Sequence, residues 1–175
     1  FRMSDISIVG SSVMPATAGQ PTGISMRIAH GGCVELNQFT TNGGGDPADE
    51  NGIFLYGIEL LAGSLLLTDY QAEEVLIGVN IPAGFLSYAI TIDHALFANT
   101  SFGVPKGIWV HSTATPVMNV SALVAGTGIR AIQNDADGYI TPSGTTYVVP
   151  SYIYNGEASF ISKHQNTIVT GVKSV

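Results

Sequence analysis

The sequence predicts an all-β fold, namely an antiparallel, jelly-roll-like sandwich with at most one short helix. Short runs alternate apolar and polar residues, which is the period of a strand with one buried face. Turn-forming stretches rich in Gly, Pro and Asn separate these runs. Only 11% of the 175 residues are charged while 45% are hydrophobic, so a single β domain over residues 1–175 must cover its surface with uncharged polar groups.

The strands are predicted from the alternation, beginning at the N terminus. The alternating sets are Ile6/Ile8, Ile24/Met26/Ile28, Leu86/Tyr88/Ile90/Ile92 and Met118/Val120/Ala122/Val124. Strand-like stretches return at residues 145–149, 151–154, 158–162 and 167–172. Recurring turns after short apolar runs are typical of a sandwich or barrel, and no internal repeat of fixed period is visible.

The central apolar run, residues 53–67, is compatible with a helix or with strands. Gly57 and Gly63 would each cost a helix about 1 kcal/mol, so we predict a hairpin that turns at residues 62–64. With about 15 residues, the run is shorter than the roughly 20 that span a bilayer. It therefore indicates buried core, and no membrane insertion is expected.

Two further local structures are predicted around this run. Thr68 and Gln71 resemble a capping box, which favours a short helical turn from Asp69 to Glu74. The polar, Gly-rich and acidic residues from Thr40 to Asn51 predict a long exposed loop.

The charge pattern excludes some partners. No Lys or Arg lies between Arg27 and Lys106, and the net charge is −7, so nucleic acid and anionic membranes are not expected partners. Cys33 is the only cysteine, which rules out an intrachain disulfide and is interpreted as a buried, inert thiol. Phe1 in the first position indicates a processed or trimmed chain.

No metal site is predicted. Residues 133–138 contain an Asp-x-Asp-Gly core, but Gln133 and Gly144 occupy the positions where an EF-hand loop needs acids. A turn between strands explains them better. The acidic residues Asp46, Asp49 and Glu50 are interpreted as a solvated loop. The four histidines, at positions 30, 94, 111 and 164, lack the close pairing of a zinc site.

The sequence gives no catalytic or cofactor-binding residue, and an enzyme is not expected. No Gly-x-Ser-x-Gly elbow occurs, and nothing in the sequence brings Asp93 and His94 to a serine. Trp109 lies in a strand-like context that favours the core. The late tyrosines could instead form a sugar platform or a subunit interface; they are Tyr139, Tyr147, Tyr152 and Tyr154.

These features favour a non-enzymatic structural protein of a virus particle: a bacteriophage capsid-decoration, shell or fibre subunit, located in the virion. High apolar content with few charges fits surfaces that are buried against symmetric copies. The expected partners are therefore copies of the same chain and other virion or filament subunits, without a cofactor. The expected contact regions are the 40–51 loop, the N-terminal strand and the late tyrosines.

Two alternatives stay open at this point. One is an extracellular or cell-surface filament, pilus-like or adhesin subunit assembled by strand donation, with Asp5 to Val9 as the donor. The other is a carbohydrate-binding module that would use Trp109, Tyr152 or Tyr154.

Overall fold

The computed structural model describes residues 1–9, 23–29, 31–43, 54–86, 88–98, 106–114, 116–125, 129–135, 140–142, 146–147, 152–155 and 168–169. Their strands are β1 (Arg2–Val9), β2 (Gly23–Ile28), β3 (Cys33–Asn42), β4 (Phe54–Leu60), β5 (Ser64–Glu73), β6 (Val75–Ile81), β7 (Ala89–Ala98), β8 (Lys106–Val110), β9 (Val117–Ala125), β10 (Arg130–Asn134), β11 (Ile140–Pro142), β12 (Thr146–Tyr147), β13 (Tyr152–Asn155) and β14 (Ile168–Val169). The predicted all-β class is confirmed. In this part of the chain, no helix is long and apolar enough to cross a bilayer.

Twelve of the strands form two six-stranded sheets. Within each sheet, every pair of neighbouring strands is parallel. Sheet A has the order β1-β3-β5-β7-β9-β11, and sheet B has the order β13-β10-β8-β6-β4-β2. Strands β12 and β14 pair separately, also in parallel. From β1 to β11 the chain alternates between the two sheets, so each coil contributes one strand to each. The fold is a parallel β-solenoid.

The predicted antiparallel, jelly-roll-like sandwich is therefore wrong. Alternation reports only that one face of a strand is buried, and a solenoid strand meets that condition as well as a hairpin strand does. The predicted hairpin at residues 62–64 is a corner at which Gly63, with φ 89°, passes the chain from sheet B to sheet A. The predicted helical turn over 69–74 is wrong, because residues 69–73 belong to strand β5. Asp69 in β5 and Glu74 directly after it have positive φ, which a right-handed helix does not accommodate.

The register places one apolar residue of each coil above the next. Leu36 pairs with Leu67, Leu67 with Ile92 and Ile92 with Val120. The coil length along this column changes from 31 to 25 to 28 residues. A repeat of variable length has no fixed period, which explains why the sequence shows none.

Four strands of sheet A, β1, β3, β5 and β7, bend at the same point. Asp5, Gln38, Asp69 and His94 occupy equivalent register positions, and all have φ between 51° and 56°. The bend lengthens the spacing of inward residues from two to three. The alternation predicted for Met118/Val120/Ala122/Val124 is wrong beyond Val120, because Leu123 is the next residue of β9 described as fully buried.

Aromatic side chains of sheet A fill the core opposite glycines of sheet B. Phe39 stacks on Tyr70 with ring centroids 5.7 Å apart, and Phe97 meets the edge of Tyr70 at 6.0 Å. Gly57 and Gly78 are adjacent in register on the facing strands. A Cβ at Gly57 would overlap Tyr70, and one at Gly78 would overlap Phe97. The rings fit because these positions lack side chains.

The other strand predictions hold in part. Ile6 and Ile8 lie in β1, and Ile24, Met26 and Ile28 lie in β2. Strand β7 starts at Ala89, so Leu86 and Tyr88 precede it and are exposed. The central run supplies core side chains to β4 and β5, as expected.

Further corrections concern the loop, the thiol and the C-terminal strands. Thr40 to Asn42 belong to β3 and not to the predicted loop, whose residues 44–51 lie outside the described part of the chain. Cys33 is exposed, not buried. In the C-terminal part, the described strands β12, β13 and β14 overlap the predicted stretches 145–149, 151–154 and 167–172, and the 158–162 stretch falls outside the described residues.

Candidate functional site

One end of the solenoid leaves apolar residues of the core incompletely covered. These residues, which we call the end face, are Met3, Ile6 and Ile8 of β1 and Met26 of β2, all packed on the core yet only partly buried. Their counterparts one coil further on, Leu36 and Phe39, are each 1% exposed. Among the described strands, β1 pairs with β3 alone and β2 with β4 alone. The end face therefore combines apolar surface with two sheet edges.

Strand β1 is held on β3 by contacts at its first residues. The Phe1 ammonium donates to the Cys33 carbonyl oxygen at 2.9 Å, and the Glu35 amide donates to the Phe1 carbonyl at 2.8 Å. The Arg2 guanidinium pairs with the Glu35 carboxylate, and this hydrogen bond lowers the pKa of Glu35. Both side chains contact solvent, so the pair adds little stability. Beside it lies a depression of about 410 Å³ on the outer face of sheet A.

A second group lies on the outer face of sheet A at the bend of the strands. His94 Nδ1 is 3.6 Å from Asp69 Oδ1 and 3.7 Å from Asp93 Oδ2. Ser121 Oγ donates to Asp93 Oδ1 at 2.5 Å. A serine hydrolase needs the serine hydroxyl on the imidazole, with the carboxylate on the far side of the ring. Here the hydroxyl bonds the carboxylate directly, so this geometry does not activate Ser121.

The described residues likewise offer no metal centre, since no three His, Cys, Asp or Glu side chains among them are arranged to hold an ion. Asp135, one of the acids considered as a metal ligand, directly follows β10 and accepts hydrogen bonds from the Trp109 and Gln133 side chains. Asp46, Asp49 and Glu50 lie outside the described part of the chain, as do His30 and His164.

A third group, the Trp109 cluster, lies on the outer face of sheet B. Its members are Asn80, Lys106, Trp109, His111, Gln133 and Asp135. Trp109 Nε1 and Gln133 Nε2 each donate to Asp135 Oδ2 at 2.8 Å. The His111 ring stacks on the indole with centroids 3.7 Å apart, and Lys106 Nζ lies 4.3 Å from the indole centroid. The prediction of a core tryptophan is wrong, because Trp109 faces outward and is half-buried.

The side chains of the Trp109 cluster form hydrogen bonds with one another. His111 Nε2 lies 2.8 Å from Asn80 Oδ1, and the Asn80 side chain is buried. Burial lowers the pKa of His111, although the charge of Asp135 opposes that shift. Because Lys106 and His111 already contact the indole, Trp109 offers poor stacking area to a sugar. The cluster therefore stabilises the coils and does not favour a carbohydrate site.

Sequence reasoning missed Asn80, His111 and Gln133 as neighbours of Trp109. The strand register identifies two of these neighbours, because Asn80, Trp109 and Gln133 pair in successive strands. That register can be derived only once the strands are known to be parallel. Tyr154 continues the same column by pairing with Gln133. Tyr152 also lies in β13 and Tyr147 in β12, whereas Tyr139 is outside the described residues.

The fold thus defines a parallel β-solenoid whose β1/β2 end carries partly buried apolar residues. Comparison with known proteins adds no family assignment: no protein-family model, curated protein or solved structure matches this chain.

Proposed function

We propose that this chain is a non-enzymatic structural subunit of a virus particle, a bacteriophage fibre, shell or decoration protein that acts in the virion through self-association. The observation that carries this proposal is the end face. Apolar residues at the end of a core, bordered by two sheet edges, are a template for another chain. Copies of the same chain present the same surface, and symmetric contacts cover it.

The end face alone is too small to hold a particle together. Strand β1 has eight residues, which at roughly 3.3 Å each gives a length of about 26 Å, and the facing sheets are about 10 Å apart. These dimensions give about 260 Å² for one end, so an end-to-end contact buries about 520 Å² in total, below the roughly 1,000 Å² of a specific interface. Additional contacts are needed for a stable particle.

The remaining surface suits close packing of subunits. On sheet A, one outward column carries Ser4, Asn37, Thr68, Asp93 and Ser121 in successive strands. Short polar side chains lose less conformational entropy when they are immobilised than Lys or Arg does. The low content of charged residues therefore makes lateral contact less costly.

A second candidate is an extracellular filament or adhesin subunit. It is favoured by the position of β1, which contains the predicted donor segment and lies at the edge of sheet A. Both candidates require self-association. They differ in where the assembled protein is located, which immunogold labelling of purified particles and of cell surfaces distinguishes.

The test is the mass and shape of the purified full chain, by size-exclusion chromatography with light scattering and by electron microscopy. We expect regular oligomers or fibres for the wild type. Ile6→Ser should shift the mass towards the monomer because Ile6 belongs to the end face, while Leu86→Ser, at an exposed position away from β1, should leave it unchanged. Circular dichroism verifies that both variants fold. A wild type that stays monomeric at every concentration overturns the proposal.

A further inference from the structure

We propose that β1 is an exchangeable strand: in the assembled state, β1 of one copy pairs with β3 of another copy, in the same parallel register that it adopts within one chain. This inference rests on the proposed self-association and names the segment and the edge that produce it. The partner is a second copy of this chain.

Among the described strands, β1 has a neighbour on one side only. Within the described residues, its pairing partner is β3, with Ile6 opposite Phe39 and Ile8 opposite Thr41. None of the residues of β1 is buried, whereas four residues of β3 are buried. Removing β1 from β3 therefore exposes less apolar surface than removing any inner strand of sheet A.

The connection after β1 is long enough for exchange. Thirteen residues, 10–22, separate β1 from β2, and at about 3.3 Å per residue their extended length reaches about 43 Å. By contrast, a single residue, Glu74, joins β5 to β6. Such a short connection fixes β5 next to its own β6, whereas a chain of thirteen residues has the contour length to reach a neighbouring copy.

The chemistry of the β3 edge identifies the occupant. The Glu35 amide donates to the Phe1 carbonyl oxygen, the Glu35 carboxylate pairs with the Arg2 guanidinium, and Phe39 is the register partner of Ile6. The sequence Phe1-Arg2-Met3 through Ile6 supplies all three groups in register. A second copy carries this sequence and reproduces every contact, so exchange changes the partner without changing the interface.

The balance between the two states depends on concentration. Pairing within one chain has an effective concentration on the order of millimolar. Dilute protein therefore keeps β1 on its own β3. Exchange is favoured at high local concentration, where the end faces and outer columns add contacts that the separate monomers lack.

The experiment uses a disulfide between register partners. Ser4 and Asn37 are paired and exposed, and neighbouring strands are about 4.8 Å apart, within the range that a disulfide spans. The test protein is the full chain with Ser4→Cys, Asn37→Cys and Cys33→Ser. The control combines Thr68→Cys, Asp93→Cys and Cys33→Ser, because Thr68 and Asp93 occupy the same column in inner strands.

When assembled protein is oxidised, the Ser4/Asn37 variant should give covalent multimers on non-reducing denaturing gels, and the control should give monomers. Oxidation in dilute solution before concentration should lock β1 in place and prevent assembly, and a reductant should restore it. Strand exchange is overturned if oxidised particles give only monomeric bands on the gel, or if the chain with its Ser4→Cys/Asn37→Cys disulfide formed in dilute solution still assembles normally. In both cases self-association itself is retained. If the unlocked chain never assembles, the proposed function and the exchange both fail.

Discussion

Replacement of Gly57 by alanine tests the packing of aromatic rings against glycines in the core. The added Cβ would overlap the Tyr70 hydroxyl and lie 2.8 Å from the Gly78 carbonyl oxygen. Tyr70 is 1% exposed and cannot move into solvent. A shift of its ring breaks the 3.1 Å hydrogen bond that its hydroxyl donates to Gly78.

The expected loss of unfolding free energy combines two effects. Overpacking a core costs about 1–3 kcal/mol, and loss of a buried hydrogen bond costs about 1 kcal/mol more. We therefore expect Gly57→Ala to destabilise the fold by about 3 kcal/mol, a large part of the roughly 5–15 kcal/mol of a typical domain. Urea unfolding followed by circular dichroism measures this loss as a shift in the midpoint.

Gly31→Ala is the matched control. A Cβ at Gly31 would have one neighbour within 4 Å, the Tyr88 hydroxyl at 3.7 Å, so a change below about 0.5 kcal/mol is expected. In the double variant Gly57→Ala/Tyr70→Phe the overlapping hydroxyl is gone, and the total loss should be smaller than the sum of the single losses. Equal stability of the Gly57 and Gly31 variants, or additive losses in the double variant, would refute this packing.

Three further measurements follow from individual contacts. Arg27→Gln removes the cation from the buried Glu59 carboxylate and should cost about 1–3 kcal/mol in urea unfolding; no measurable loss would contradict this. Burial lowers the pKa of His111, so below about pH 6.5 the unfolded chain binds a proton that folded His111 resists. The free energy of unfolding should therefore decrease as the pH falls from about 6.5 to 5, and His111→Gln should weaken that dependence; an unchanged slope would exclude His111 as its source. Exposed Cys33 should react with a thiol reagent in the native protein, and a reaction that requires denaturant would show that it is covered.

The sequence predicted an all-β chain, but not its parallel pairing, because alternation is a local property. Ile24, Met26 and Ile28 alternate with polar residues whether their strand pairs in parallel or antiparallel. The direction of pairing depends on where the chain goes after each turn, and the Gly63 corner has the same composition as a hairpin turn. Single residues such as Asp69 bend the strands of sheet A, and no residue type is required at that position.

The contact role expected of the N-terminal strand stays a prediction, and the structure places β1 at the edge of sheet A. Trp109 was misplaced because a tryptophan between Ile108 and Val110 follows the apolar pattern of a core strand. Its hydrogen bond to Asp135 bridges two neighbouring strands, and a contact across 26 residues of sequence leaves no local signal.

Sedimentation velocity of the full, untagged chain over a wide range of concentrations measures self-association most directly. We expect the sedimentation coefficient to rise with concentration towards that of a defined assembly, and Ile6→Ser to reduce that rise. A single species with the mass of one chain at every concentration would contradict the proposed role as a structural subunit.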